Sequence, residues 1–253
     1  MLDTLWTSSP FLDSPWLAGI LLHTGLIAIA FLLPKKLLTP AGYGNAWLLG
    51  VMIWLAFGWR GYATVLFYFF VGSAVTKIGM AEKEALGIAE ARGGIRGPGN
   101  VWGSALTGAL CGLLAIAFPT WQALLALGFV ASLSTKLSDT TATEIGKAYG
   151  KRTFLITTLS PVPKGTEGAV SLEGTLAGVL GSLALAAVAY AIGLVSLIGV
   201  AVCAIAAFVA TTVESLIGAT IEDRLSWLTH DLVNIINTTV GAIVAITVGR
   251  FLA

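Results

Sequence analysis

The composition of this chain excludes water as its main solvent. Of its 253 residues, 57% are hydrophobic and only 11% are charged, whereas a soluble domain carries about 25% charged residues. The formal net charge of +1 excludes the strongly basic surface that attracts nucleic acid. These properties predict one integral membrane domain, residues 1–253, with short connections between apolar segments.

Eight apolar segments are predicted to cross the membrane as helices, each close to the length of about 20 residues that spans the hydrocarbon. The predicted spans are 16–33, 45–59, 61–79, 101–118, 120–137, 174–192, 194–213 and 232–252. Prolines fall between these segments, where an interruption of helical hydrogen bonding costs least. We therefore expect an all-α fold, a polytopic membrane helix bundle.

The charged residues predict how this bundle is oriented. If the N-terminus lies on the outer side, twelve of the fourteen Lys and Arg residues fall in inner loops, as the positive-inside rule requires. Eleven of the thirteen Asp and Glu residues fall on the same side, which that rule does not explain. The sequence thus predicts both termini on the outer side and a polar chemical site on the cytoplasmic face.

The first long inner connection, residues 76–103, combines basic side chains with closely spaced glycines. Arg binds phosphate oxygens through two parallel hydrogen bonds, and glycines let the backbone approach a phosphate. Lys77, Arg92 and Arg96 are therefore candidates to neutralise a phosphate. An ordinary solvated loop explains the same pattern equally well.

The second long inner connection begins at the end of a predicted helix. Asp139, Thr143, Gly146 and Gly150 recur there at the spacing of one helical face, which could hold a metal ion with a phosphate lying along it. The segment Pro-Lys-Gly-Thr-Glu-Gly follows at 163–168 and could cradle phosphates. It lacks the spacing of a Walker A loop, and an ordinary turn also explains it.

The last inner connection is flanked by carboxylate and amide side chains. Oxygens of this kind suit Mg²⁺, which usually keeps water and substrate phosphates as further ligands. Asp139, Glu214 and Asp231 are the predicted Mg²⁺ ligands, with Asn234 as a further ligand or orienting group. Asn237 is equally well explained by hydrogen bonding between helices.

Four segments of the chain together resemble one integral membrane family, which contains the plant and cyanobacterial phytyl-phosphate kinases. The segments are GSAVTKIGMAEKEALGIAEARGGIRGPGNV (72–101), SDTTATEIGKAYGK (138–151), PVPKGTEGAVSLEGTLAG (161–178) and ESLIGATIEDR…DLVNIINTTVGA (214–242). The pattern from Asp139 to Gly168 is also similar, more distantly, to that of dolichol kinases, phytol kinases and CDP-diacylglycerol synthases. Those enzymes use a nucleoside triphosphate, usually CTP, on a lipid substrate.

This resemblance implies transfer of a phosphoryl group from a nucleoside triphosphate to phytyl phosphate, with Mg²⁺ as cofactor. The product, phytyl diphosphate, feeds tocopherol and phylloquinone synthesis. Asp139, Lys164 and Arg96 are the implied catalytic residues. Binding of the nucleotide and the lipid phosphate is expected of Lys77, Arg92, Gly146, Gly150, Lys151, Gly165, Thr166, Glu167, Gly168, Asn234 and Asn237.

Two other functions compete with a kinase. A cytidylyltransferase-type lipid enzyme would release diphosphate, whereas a kinase releases a nucleoside diphosphate. A secondary transporter would place charges near the middle of its spans and often shows an internal repeat, but most charges here lie at span ends and in loops. The sequence leaves open the nucleotide, the prenyl chain, a homo-oligomer, and the choice between plasma and thylakoid membrane.

Overall fold

The structure, a computed structural model, describes residues 14–221, 225 and 227–252. Its helices are α1 (Pro15–Leu32), α2 (Pro40–Thr76), α3 (Met80–Ala85), α4 (Pro98–Ala117), α5 (Gln122–Tyr149), α6 (Leu172–Ala191), α7 (Leu197–Thr220) and α8 (His230–Leu252). Short 3₁₀ turns cover Ala91–Gly94 and Pro119–Trp121. Strands β1 (Phe154–Leu155) and β2 (Ala169–Val170) pair antiparallel between α5 and α6. Glu222, Asp223 and Arg224, assigned above to the last inner loop, lie outside the described residues.

Helix α2 joins two of the predicted spans through a reversal at Gly58. This residue has φ +61° and ψ −154°, a backbone conformation that glycine enters far more readily than other residues. The Thr39 backbone N–H donates to the Arg96 carbonyl at 3.0 Å, and the Arg96 guanidinium lies against Gly72. A straight helix of 37 residues would hold its ends about 55 Å apart. The chain therefore turns back at Gly58, and both ends of α2 meet Arg96.

Among the described residues, five helices are long and apolar enough to cross a membrane, namely α2, α4, α6, α7 and α8. The apolar part of α1, Trp16–Leu32, is shorter. The predicted all-α, polytopic membrane bundle is thus confirmed. The placement of both termini on the outer side stays a prediction.

Helix α5 lies at the centre of the bundle, in contact with α2, α4, α6, α7 and α8. Its Val130, Leu133 and Leu137 side chains are fully buried. Glycines allow the close approach of α6, since a Cβ at Gly174 would lie 2.6 Å from the Ala142 carbonyl oxygen. Because its neighbours shield α5 from lipid, this helix can carry polar side chains at low cost.

Candidate active site

A cavity of about 560 Å³ lies where α5, α7 and α8 meet the long connections. Ten of the sixteen predicted site residues line it. They are Arg96, Asp139, Gly146, Gly165, Thr166, Glu167, Gly168, Glu214, Asp231 and Asn234. Segments that are far apart in the sequence thus meet around one space. Its use as a chemical site on the cytoplasmic face stays a prediction.

A connected polar network forms the floor of the cavity. Because Lys136 and Asp139 are three residues apart on α5, they share a face, and the Lys136 Nζ lies 2.5 Å from Asp139 Oδ2. The same Nζ donates to Asn234 Oδ1 on α8 at 2.5 Å. Asp139 lies within hydrogen-bonding reach of Glu214 on α7, and Asn237 Nδ2 donates to Glu214 Oε2 at 2.7 Å. The network ties three membrane helices together through charged side chains.

The three predicted Mg²⁺ ligands are not equivalent in position. Asp139 and Glu214 meet in the network, whereas the Asp231 carboxylate lies against α4, where a Cβ at Gly99 would come within 2.0 Å of Asp231 Oδ2. Across the part of the chain that the structure describes, no three His, Cys, Asp or Glu side chains form a group that could hold a metal ion. Two carboxylates facing a cavity nevertheless fit Mg²⁺, which is usually held by one or two carboxylates plus substrate phosphates.

A basic part of the cavity wall is held by α2 and α4. The Arg96 guanidinium donates to the Tyr68 hydroxyl at 2.6 Å and lies 5.1 Å from the centroid of the Tyr68 ring. The Tyr68 hydroxyl in turn donates to Ser104 Oγ at 2.9 Å. A guanidinium fixed by stacking and hydrogen bonding is preorganised to bind a phosphate. Lys136 and Lys147 add further positive charge to the lining.

The glycine-containing turn at 163–168 forms part of the rim. Gly165 and Gly168 have φ values of +83° and +71°, and the Thr166 hydroxyl donates to the Pro163 carbonyl at 2.8 Å. A Cβ at Gly168 would lie 2.5 Å from the backbone nitrogen of Ala219, so glycine is required where the turn docks on the end of α7. The turn therefore has a fixed position beside the carboxylates.

Six predicted site residues lie outside the cavity lining. They are Lys77, Arg92, Gly150, Lys151, Lys164 and Asn237. Arg92 donates to Asn100 Oδ1 at 3.1 Å, and Lys164 lies beside Glu82 at 3.6 Å. Lys77 and Lys151 are exposed. Their predicted roles in binding and catalysis stay predictions. Asn237 belongs to the polar network at the floor of the cavity, whereas Arg92 and Lys164 are held by contacts with Asn100 and Glu82.

Two buried lysines near the cavity, Lys136 and Lys83, are not among the predicted site residues. Lys136 was counted only as an inner basic residue, although its i,i+3 spacing to Asp139 signals a pair. Lys83, fully buried on α3, pairs with the Glu144 carboxylate on α5 and donates to the Thr76 carbonyl at 2.8 Å. This ion pair fastens the first long connection to the central helix.

The model of the family described as integral membrane protein DUF92 matches residues 23–242. This chain belongs to the DUF92 integral membrane family. It is 63% identical over 248 residues to the uncharacterized membrane protein sll0875 of Synechocystis sp., which covers 97% of this chain and 95% of that protein. It is 47% identical over 220 residues to Protein VTE6, chloroplastic, of Arabidopsis thaliana, covering 85% of this chain and 66% of that protein.

A further DUF92-like relative is the uncharacterized membrane protein MJ0933 of Methanocaldococcus jannaschii, 30% identical over 226 residues, with 88% of this chain and 91% of that protein covered. No solved structure matches the chain. The expected membership of an integral membrane family with plant and cyanobacterial members is confirmed. The DUF92 match includes all ten predicted residues that line the cavity.

Proposed function

We propose that this DUF92 protein is a phytyl-phosphate, or isoprenyl-phosphate, kinase. It would transfer a phosphoryl group from a nucleoside triphosphate, CTP by the more distant resemblance, to phytyl monophosphate, and the phytyl diphosphate formed would serve tocopherol and phylloquinone synthesis. The supporting observation is one cavity that joins paired carboxylates, a basic wall and a glycine turn within a membrane bundle. The resemblance to phytyl-phosphate kinases supplies the reaction.

In the proposed step, an oxygen of the acceptor phosphate forms a bond to the γ-phosphorus of the nucleotide. The bond from that phosphorus to the bridging oxygen breaks, and its electron pair leaves with the nucleoside diphosphate. The acceptor is already an anion, so no strong general base is needed. Catalysis of this kind consists mainly of positioning and charge neutralisation.

Each wall of the cavity has a proposed task in this step. Arg96 and Lys136 would neutralise the acceptor phosphate, and the turn at 165–168 would hold the nucleotide phosphates. Asp139 and Glu214 would hold Mg²⁺, and Asn234 would orient them through its contact with Lys136. The bound ion would neutralise charge on the triphosphate.

The proposed location is a plasma or thylakoid membrane with the cavity facing the cytoplasmic side. The excess of Lys and Arg in the loops on that side supports the orientation. The relative VTE6, which is described as chloroplastic, supports a thylakoid membrane. The fully buried apolar side chains of Val130, Leu133 and Leu137 on α5, next to the cavity, favour a site open on one side over a transport pathway.

Product analysis tests this proposal. The purified protein in lipid nanodiscs is incubated with Mg²⁺, phytyl phosphate and CTP labelled at either the α- or the γ-phosphate. A kinase places the γ-label in phytyl diphosphate and leaves the α-label in CDP. Recovery of the α-label in a lipid, together with free diphosphate, would instead identify a cytidylyltransferase. If no nucleotide is consumed with CTP, ATP, GTP or UTP, the enzyme proposal is wrong and transport assays become the next step.

A further inference from the structure

Helices α6 and α7 form a hairpin whose two ends differ. Near the connection between them, Leu185 and Ala189 of α6 and Cys203 and Ala206 of α7 are fully buried in one apolar cluster. The two helices are also in direct contact. This end of the hairpin is therefore closed.

From about the middle of each helix to its other end, the same hairpin borders the cavity. Val179 and Thr175 of α6, together with Phe208 and Thr212 of α7, line it. The cavity thus continues between the two helices, away from the carboxylates. We call the space bounded by these four residues the α6–α7 cleft.

The α6–α7 cleft reaches the surface of the bundle that faces lipid. Phe208 lines the cavity and is 51% exposed, and its neighbours Ile205 and Val209 on α7 are exposed outside the cavity lining, so this part of the membrane-spanning helix borders hydrocarbon. Phe208 precedes Ser215, another lining residue, by seven positions on α7, which corresponds to about 10 Å along the helix axis. The cavity therefore has a polar end at the carboxylates and an apolar side opening deeper in the bilayer.

Thr212 of the cleft and its neighbour Thr211, which also lines the cavity, are suited to an apolar occupant. The Thr211 hydroxyl donates to the Ala207 carbonyl at 2.9 Å, and the Thr212 hydroxyl donates to the Phe208 carbonyl at 2.7 Å. Because these hydroxyls are satisfied within α7, they require neither water nor a polar ligand. An alkyl chain in the cleft would leave none of these hydroxyl groups unpaired.

We propose that the α6–α7 cleft is the side entrance and binding groove for the isoprenoid chain of a lipid monophosphate. The phosphate would lie at the polar end of the cavity, and the chain would leave between Val179 and Phe208 into the bilayer. An anionic headgroup and an apolar tail are the chemistry that one continuous space with these two ends accommodates. The identity of the lipid as the phosphate acceptor rests on the proposed function.

Photo-crosslinking tests the groove without requiring turnover. The probe is an isoprenoid monophosphate with a diazirine near the middle of its chain, added to the purified protein in nanodiscs and irradiated. We expect label in peptides from 172–191 and 197–220, and at least tenfold less label when excess phytyl phosphate competes. Label confined to other helices would overturn the groove, as would equal labelling by the same probe with an alcohol in place of its phosphate.

Matched substitutions sharpen the test. Val179→Trp fills the cleft and should lower specific labelling at least tenfold, whereas Leu180→Trp, at an adjacent position that is outside the lining and exposed to lipid, should stay within twofold of wild type. Equal labelling of the two variants would contradict the groove. Thermal unfolding of both tryptophan variants in detergent, which is expected to match wild type, guards against misfolding of Val179→Trp.

The groove and the kinase proposal can fail separately. Specific label in the cleft without formation of phytyl diphosphate would support a lipid-phosphate groove and reject the kinase. Formation of phytyl diphosphate with label on other helices would support the kinase and reject the groove.

Discussion

Both halves of α5 contain buried side chains, but these are mostly apolar in the first half and mostly charged or polar in the second. Val130 and Leu133 in the first half are fully buried apolar residues, which pack without requiring specific partners. In the second half Lys136 is only 9% exposed and Glu144 only 4%, and each has an oppositely charged partner. Because α5 lies at the centre of the bundle, its neighbours can bury both apolar and charged side chains. Only the charged second half of α5 supplies groups able to bind phosphate.

Among variants that affect the two halves of α5, breaking the Lys83–Glu144 pair should lower the free energy of unfolding most. Lys83→Met leaves the Glu144 carboxylate buried without its cation, which typically costs about 3–5 kcal/mol. Thermal unfolding in detergent measures the change. The double variant Lys83→Met/Glu144→Leu should recover most of the loss because no unpaired charge remains. A melting temperature equal to wild type in the single variant would show that the pair has little effect on stability.

In the apolar half, Phe129→Ala should lower stability by about 3 kcal/mol while leaving the KM values for both proposed substrates unchanged. The Phe129 ring packs on that of Phe57, with centroids 4.8 Å apart, and its loss leaves a void. Leu110→Ala on the lipid-facing surface of α4 is the control and should change stability little. A raised nucleotide KM in Phe129→Ala would mean that the two halves are not independent.

Asp139→Asn should reduce kcat for the proposed phosphoryl transfer roughly 100-fold, the usual effect of removing one key electrostatic group from an active site. That loss corresponds to about 2.7 kcal/mol. The amide oxygen can still accept from Lys136, so the variant should fold and insert. Steady-state kinetics in nanodiscs provides the measurement, with Glu84→Gln as an exposed carboxylate control. Normal turnover of purified Asp139→Asn would remove this carboxylate from the proposed site.

Lys164→Ala should have the smallest effect, about a fivefold rise in nucleotide KM with kcat nearly unchanged. Its Nζ lies 3.6 Å from Glu82 and 3.3 Å from the Ala148 carbonyl, and partly exposed contacts of this kind are worth about 1 kcal/mol or less. Nucleotide titrations of Lys164→Ala and of the exposed-lysine control Lys36→Ala check this. A 100-fold loss of kcat in Lys164→Ala would contradict this expectation and would identify Lys164 as a catalytic residue.

Local patterns explain which parts of the structure could be predicted from the sequence. Apolar length predicted a helix at each of the eight predicted spans, two of which α2 joins at Gly58, and five of the described helices are long and apolar enough to cross a membrane. The helical spacing of Asp139, Thr143 and Gly146 predicted one face of α5 that borders the cavity. Gly150, the fourth residue of that predicted face, instead follows the end of α5 and lies outside the lining. Helix α5 nevertheless continues to Tyr149, beyond the predicted span of 120–137, because neighbouring helices shield its polar end.

Contacts between distant segments could not be predicted in this way. Lys83 and Glu144 are 61 positions apart, so no periodicity relates them. The glycine-rich pattern of the first connection also does not reveal which basic side chain turns inward. Arg96 reaches the cavity because Tyr68 holds it there, whereas Arg92 instead bonds Asn100 at the start of α4.

The reversal at Gly58 also governs membrane insertion. Because both ends of α2 return to Arg96, the limbs on either side of Gly58 must be inserted as a pair, and the loops before and after them share one compartment. If one limb failed to insert, every later helix would cross the membrane in the opposite direction. The carboxylates would then be exposed to the opposite compartment. A Cβ at Gly58 would meet no atom within 4 Å, so the constraint on this residue is its backbone angle. The backbone angles of one residue thus help decide which aqueous phase the cavity faces.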